Sequence, residues 1–195
     1  SDVDSKRMKD GKKLVEDYYN EKQDSNHAVD VKMYSDYKEM ILDKDIDAVV
    51  ISTPDHWHAQ PAVEAALAGK HVYLQKPTSL TIREGRLLSD IVHRQGIILQ
   101  VGTQQRSSPQ FRRAAELVRN GRIGKIHTVK IGLPGDPSGP VAPVMPIPEN
   151  LNFDMWLGST PEVPYTEIGV HPQDNYSRPG WLRIENYGTG MITGW

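Results

Sequence analysis

Lys76 sits at the mouth of an apolar run, "HVYLQKPTSL" over residues 71–80, with Gln75 before it and Pro77 after it. A lysine held at a strand end can hydrogen-bond a substrate hydroxyl, and its charge favours the alkoxide. Equally, it can be a solvated loop cation with the proline as a strand stop, and these residues alone leave both readings open. Pro77 permits a cis peptide bond at low cost, which would aim the lysine inward. A second polar cluster, "STPDHWH", follows Ile51 and offers the Ser52 and Thr53 hydroxyls, a turn at Pro54, and the rings of His56, Trp57 and His58. Two histidines at i and i+2 on a turn match no zinc pattern, and no other ligand cluster accompanies them, so no metal is expected. His58 is instead expected to cap the next helix, with Trp57 packed or laid along a ligand. After Val101, "GTQQR" brings Gln104, Gln105 and Arg106, which suit the polar groups of a ligand or form an ordinary loop. His171, Tyr176, Trp181 and Tyr187 can stack on the apolar faces of sugar rings or simply pack.

These groups need a scaffold that gathers them. "IDAVVIS" (46–52), "HVYL" (71–74) and "IILQV" (97–101) are short, β-branched and nearly continuous, the pattern of parallel strands covered on both faces. Between them lie two helical patterns. "HAQPAVEAALAG" puts Ala59, Ala62, Val63, Ala66 and Leu67 on one face and stops at Gly69; "TIREGRLLSDIVHRQG" has Thr81 as N-cap, Leu87, Leu88, Ile91 and Val92 inward, and Gly96 as its stop. Strand, helix, strand, helix, strand predicts right-handed crossovers in a doubly wound sheet, whose ligands bind at the carboxyl ends of the strands. The three polar clusters all fall at those ends.

Outside this block, "SKRMKDGKKLVEDYY" reads as a charged helix with Leu14, Val15 and Tyr18 on its apolar side, "VKMY" (31–34) as a short strand, and "SDVD" as the end of another. "SSPQFRRAAELVRNGRIG" predicts a helix capped by Ser108 with a stripe of Phe111, Ala114, Ala115 and Val118. "KIHTVKIGL" predicts the first strand of a second sheet, and the proline-rich stretch 134–148 an extended loop. The remainder, from Phe153, reads as an irregular aromatic surface.

A net charge of −2, from 23 basic and 25 acidic residues among 195, leaves no electrostatic footprint for nucleic acid or an anionic membrane. With no cysteine, disulfides and thiolate chemistry are excluded. No apolar stretch approaches the ~20 residues of a membrane helix. The expected partner is a small neutral or acidic molecule. The compartment, cytoplasmic or periplasmic, stays open.

"TPDHWH", "ALAGKHVYLQKP" and "VGTQQR", in that order, resemble the Gfo/Idh/MocA family of glucose-fructose oxidoreductase and inositol dehydrogenase relatives, whose pattern is T-P-x-x-x-H, A-G-K-H-V, E-K-P. The resemblance implies a partial Rossmann-like domain over 1–103, a doubly wound parallel α/β sheet holding NAD. It also implies the start of an α+β domain with an open, mostly antiparallel sheet over 104–195. Lys76 becomes the active-site lysine, with His171 a second catalytic candidate. Asp2 matches the acidic residue on the adenosine ribose, which favours NAD over NADP because a carboxylate repels a 2′-phosphate. Ser52, Thr53, Pro54, Trp57 and His58 match the turn along the cofactor; Gln75, Lys76 and Pro77 the lysine turn; Gln104, Gln105 and Arg106 the loop beneath the nicotinamide.

Three departures accompany the resemblance. The glycine-rich phosphate turn expected before Asp2 is not among these residues, so they are expected to bind cofactor weakly on their own. The family's E-K-P is Q-K-P here, which removes a negative charge beside Lys76. The turn "NYGTGMITGW" (186–195) matches the one before the family's catalytic aspartate and histidine, but Gly194 stands near the aspartate's place and the histidine would follow Trp195. "FDMWLGSTPEVPY" is similar to a sugar-handling branch. The expected activity is oxidation or reduction of a secondary hydroxyl on a sugar, cyclitol or derivative, by a dimer or tetramer. Lyase or glycosidase chemistry through transient oxidation and a non-catalytic sugar-binding role are the alternatives.

Overall fold

The computed structural model describes residues 1–22, 29–132, 135, 142–188 and 190. Three parallel strands, β1 (Ala48–Ile51), β2 (His71–Gln75) and β3 (Leu99–Gly102), pair in the order β1-β2-β3, with Ile51 opposite Leu74 and Gln75 opposite Gly102. Helix α3 (Ala59–Leu67) joins the first two strands and α4 (Ile82–Gln95) the last two. Strand order follows chain order without reversal, so both crossover helices lie together, packed on one another.

That arrangement explains a difference from the sequence reading. The strands were expected to be covered on both faces, yet β1 and β2 alternate between exposed and buried residues. Val49, Ile51, Val72 and Leu74 join Ala62, Ala65, Leu88 and Ile41 in the core, while Val50 on the opposite face is 71 % exposed. Covering both faces needs a reversal of strand order, and the described residues contain none.

The helices form for local reasons. Thr81 caps α4 with a full capping box: its hydroxyl accepts from the Glu84 N–H and the Glu84 carboxylate accepts from the Thr81 N–H. Gly96 closes the helix in the left-handed region, at φ 65°. On α3 the alanines 62, 65 and 66 are fully buried, and their small size lets the helix sit close to both the sheet and α4. Leu67 and Leu87, predicted inward, point outward.

Upstream, α1 (Ser5–Lys22) forms as expected but buries no residue, and its predicted apolar side, with Leu14, Val15 and Tyr18, is exposed. Residues 31–34 make no strand. Val31 is held by helix side chains instead: its N–H donates to Glu16 and its carbonyl accepts from Lys12. A short helix that the sequence reading missed, α2 (Tyr37–Leu42), is capped by Asp36 and buries Ile41. "SDVD" contributes only an isolated antiparallel bridge, Asp4 to Leu151.

Beyond β3, α5 (Pro109–Arg119) begins at Pro109 as predicted. Ser108 makes no capping bond, and the apolar stripe with Phe111 and Val118 stays exposed. No strand forms over 126–132: Ile126, Val129 and Ile131 are exposed and no neighbouring strand pairs with them among the described residues. Of the proline-rich stretch, residues 134 and 136–141 lie outside the described set.

The largest correction concerns the aromatic segment. Far from forming a surface, Leu151, Phe153, Trp156, Leu157, Tyr165, Val170 and Tyr187 build a second core around α6 (Phe153–Leu157), with Val3, Trp181 and Ile184 against it. Trp156 and Tyr187 meet edge to face at 4.7 Å, and Phe153 meets Tyr165 likewise at 5.3 Å.

Candidate active site

The carboxyl ends of β1 and β2 open onto two cavities. The smaller, about 220 Å³, is lined by Lys76, Gln75, Pro77, Asp55, His58 and Trp181, among others. The larger, about 520 Å³, holds Asp2, Arg7, Trp57, Pro54 and His171 in its walls. Ser52, Thr53 and Trp181 line both, so the strand-end turn after Ile51 is a shared wall with Asp2 on one side and Lys76 on the other.

Each turn is held by its own bonds. The Lys76–Pro77 peptide is cis. Gln75 Oε1 accepts from the Lys76 N–H at 2.9 Å and from the Gln104 side-chain amide at 2.9 Å, which ties the lysine turn to the start of the third strand-end loop. Gly102 lies under this junction, where a Cβ would come within 3.1 Å of both amide groups. After β1, the Thr53 hydroxyl donates to the Trp57 carbonyl at 2.8 Å, closing the turn that Pro54 begins. A 3-10 turn over Asp55–Trp57 then leads into α3.

His58 precedes α3 but does not cap it with its side chain. The ring is 99 % buried by surface area (1 % exposed) and spans the two turns instead, with Nε2 2.8 Å from the Thr53 carbonyl and Nδ1 bonded to the Pro77 carbonyl. Beside it lies Asp55, a buried carboxylate that the sequence reading overlooked. Burial pushes the Asp55 carboxyl up, while the charges of His58 and Lys76 pull it down. Only its place in a strand-end turn, between Pro54 and two histidines, signalled it in advance.

His56 and Trp57 fasten this turn to the second core. The Trp156 carbonyl accepts from the Trp57 indole N–H at 2.8 Å and bonds the His56 ring Nε2 at 2.9 Å. Burial pushes the His56 ring down, against the backbone carbonyls of Trp156 and Tyr187, which pull it up. A neutral His56 therefore donates from Nε2. Trp57 thus both packs, edge-on to Tyr37, and lines the larger cavity.

At the other end of the larger cavity, Asp2 Oδ1 accepts from the Asp4 N–H, which sets the carboxylate at the rim. Arg7 is already engaged: its guanidinium donates to the carbonyls of Pro172 and Asn175 and lies 4.7 Å over the Tyr176 ring. Asp4, 1 % exposed, accepts from His171 Nε2 at 2.9 Å, Asn150 Nδ2 at 2.9 Å and the N–H groups of Lys6 and Arg7. Burial pushes the Asp4 carboxyl up, but these bonds outweigh it and hold it below the ordinary value. Its contribution to stability is therefore present above the ordinary carboxylate pKa of about 3.9 and lost as pH falls through the depressed native value. Wild type should lose stability steeply in acid unfolding titrations, and Asp4→Asn should show a shallower pH slope; equal slopes would contradict the assignment.

The expected residues do not all converge. Ser52, Thr53, Gln75, Lys76, Pro77 and His58 surround the smaller cavity, and Asp2, Pro54 and Trp57 the larger. His171 lines only the larger one, bound to Asp4 and away from the lysine's cavity. Gln104 reaches the site through Gln75, whereas Gln105 and Arg106 are exposed on a 3-10 turn and line neither cavity. The aromatic wall does not form: Tyr187 is core, Tyr176 is 68 % exposed with its hydroxyl on Asp10, and Trp181 alone of the three lines both cavities. Residues 189 and 191–195, with Gly194 and Trp195, lie outside the described set. Among the described residues no group of three acidic or histidine side chains is placed to hold a metal ion, and no helix is long and apolar enough to cross a membrane.

Residues 5–103 match the GFO_IDH_MocA family model, described as an oxidoreductase family with an NAD-binding Rossmann fold. The chain belongs to this family. It is 38 % identical over 92 residues to levoglucosan dehydrogenase of Pseudarthrobacter phenanthrenivorans, covering 47 % of this chain and 24 % of that protein. It is 36 % identical over 94 residues to scyllo-inositol 2-dehydrogenase (NAD(+)) of Bacillus subtilis, with 48 % and 28 % covered. For myo-inositol 2-dehydrogenase of Thermotoga maritima the identity is 33 % over 100 residues, with 51 % and 30 % covered. The chain thus spans less than a third of the length of each of these relatives.

The residues present fit NAD at its adenosine end. An acidic side chain at the rim beyond β1 suits the ribose hydroxyls of the adenosine.

Proposed function

We propose that the protein is an NAD-dependent oxidoreductase acting on a secondary hydroxyl of a cyclitol or sugar. The observation that carries this reading is the pair of cavities meeting at Ser52, Thr53 and Trp181, with Asp2 in the wall of one and Lys76 in the wall of the other. Asp2 would hold the adenosine ribose, the turn 52–54 and Trp57 the middle of the cofactor, and the Gln75–Pro77 turn its nicotinamide end. NAD supplies the hydride acceptor.

The chain's own contribution is electrostatic and positional. At the smaller cavity the lysine nitrogen takes the hydroxyl proton as the hydride leaves for NAD, and the ammonium so formed hydrogen-bonds the substrate oxygen and stabilises the charge that builds there. Trp181, in the wall of both cavities, offers an apolar surface for the C–H face of a ring and keeps water from the reacting carbon. The names of the inositol and levoglucosan dehydrogenases support a polyhydroxylated ring as substrate.

The test is made on the full-length protein. Any bound nucleotide is released by denaturation and weighed by mass spectrometry, and reduced-nicotinamide absorbance is followed with a panel of inositols, pyranoses and anhydro-sugars. Reduced cofactor accumulating in step with one substrate is the expected result. A sugar consumed without net reduction of nucleotide would overturn the net redox reaction in favour of transient oxidation. No nucleotide and no turnover would overturn the enzyme reading itself.

A further inference from the structure

We propose that His58 is a positioning residue that sets the distance between the cofactor turn and the lysine turn. It would thereby set where Lys76 stands relative to the reacting atoms, a role that rests on the oxidoreductase reading above. The ring is buried to 1 % exposure at the head of α3, yet it gives that helix no capping bond. Its two nitrogens go to two different strand ends: Nε2 to the carbonyl of Thr53, after β1, and Nδ1 to the carbonyl of Pro77, immediately after Lys76. Backbone carbonyls only accept, so a ring nitrogen that carries a proton donates to its turn, and the ring lies against both carbonyls at once. Asp55, a buried carboxylate, stands beside it in the wall of the same cavity.

The His58 side chain makes this connection where the sheet does not. β1 and β2 are paired through Ile51 and Leu74, but Thr53 and Pro77 lie past the last ladder positions, where the backbone no longer fixes their separation. The Thr53 hydroxyl turns away from the lysine turn to the Trp57 carbonyl, and Gln75 braces Lys76 toward Gln104 on the opposite side. The lysine turn is thus held between two braces, Gln75 on the β3 side and His58 on the β1 side. Lys76 and Asp55 line the cavity between them. Displacements of about 1 Å in such a frame can cost about 10²-fold in rate without removing any reacting group.

The two bonds can be separated by substitution. Asparagine places its amide nitrogen where Nδ1 lies, toward Pro77; glutamine places its own where Nε2 lies, toward Thr53. In the full-length protein, His58→Gln should lower kcat by about 10- to 100-fold while the KM for NAD stays within about threefold, and His58→Asn, which keeps the bond to Pro77, should recover at least about threefold of that loss. Unchanged kcat in both variants would overturn the proposal, as would parallel losses of kcat, NAD affinity and thermal stability in both, which mark a purely structural role.

A second readout needs no turnover. Lysines are reductively methylated with ¹³C, and the Lys76 resonance is identified by its loss in Lys76→Arg. The resonance should move in His58→Gln and return toward its wild-type position in His58→Asn; a resonance unmoved in both variants would overturn the proposal. Movement of the resonance in an otherwise inactive wild-type protein would sustain the positioning role and overturn only the oxidoreductase reading.

Discussion

Lys76→Ala in the full-length protein should lower turnover on a polyol by about 10²- to 10⁴-fold, the range that a positioned proton-handling group contributes. Nucleotide affinity should change little, because on the proposed reading the adenosine end is held elsewhere, at Asp2. Lys76 opens to the smaller cavity on a turn braced by Gln75 and His58, and its charge there faces Asp55 and whatever substrate oxygen enters. Removing the ammonium takes away stabilisation that exists only once the oxygen has become negative, so kcat falls more than substrate KM rises. Steady-state kinetics with calorimetry of NAD binding measure both quantities. An alanine variant with wild-type kcat would remove Lys76 from the chemistry and return it to the solvated-loop reading.

The second large effect is on stability. Gly158→Ala should destabilise the protein by about 2–6 kcal/mol, by combining two penalties. Gly158 ends α6 at φ 58° and ψ −121°, a mirror-image region that glycine enters freely and residues with a Cβ do not, at a cost on the order of 1–3 kcal/mol. A Cβ there would stand 2.3 Å from the Trp57 ring, an overlap that forces the indole to move and typically adds about 1–3 kcal/mol. Trp57 is also bonded to the Trp156 carbonyl and lines the larger cavity, so its displacement should weaken NAD binding together with folding. Chemical denaturation, tryptophan fluorescence and a nucleotide titration read the three consequences. A variant as stable as wild type with unaltered fluorescence would contradict this packing.

Much of the first core was legible in the chain because its information is local. Short β-branched runs, the Thr81 N-cap, the Gly96 stop and the polar residues at strand ends are set by neighbours a few positions away. They were enough to locate three parallel strands, both crossover helices and the edge where Lys76, Thr53 and His58 collect.

Other features depended on contacts that sequence spacing does not carry. The aromatic residues from Phe153 to Tyr187 read alike whether they form a surface or a core, and only their packing around α6 decided it. That packing took Tyr187 out of the supposed sugar wall. Asp4 bound His171 across 167 positions and held it away from the lysine's cavity. The strand pattern in 126–132 failed for a related reason, since a strand needs a partner to satisfy its backbone and none is found among the described residues.

The sequence by itself determined the order of the three parallel strands and their two crossover helices, the residue types at the strand ends, and the placing of a lysine and a proline after β2, because periodicity and turn chemistry act over a few residues. Tertiary structure alone decided that His58 bridges two turns instead of capping a helix, that Asp55 is buried beside it, and that Asp2 and Lys76 open onto cavities sharing one wall. Each of these rests on atoms brought together from distant parts of the chain.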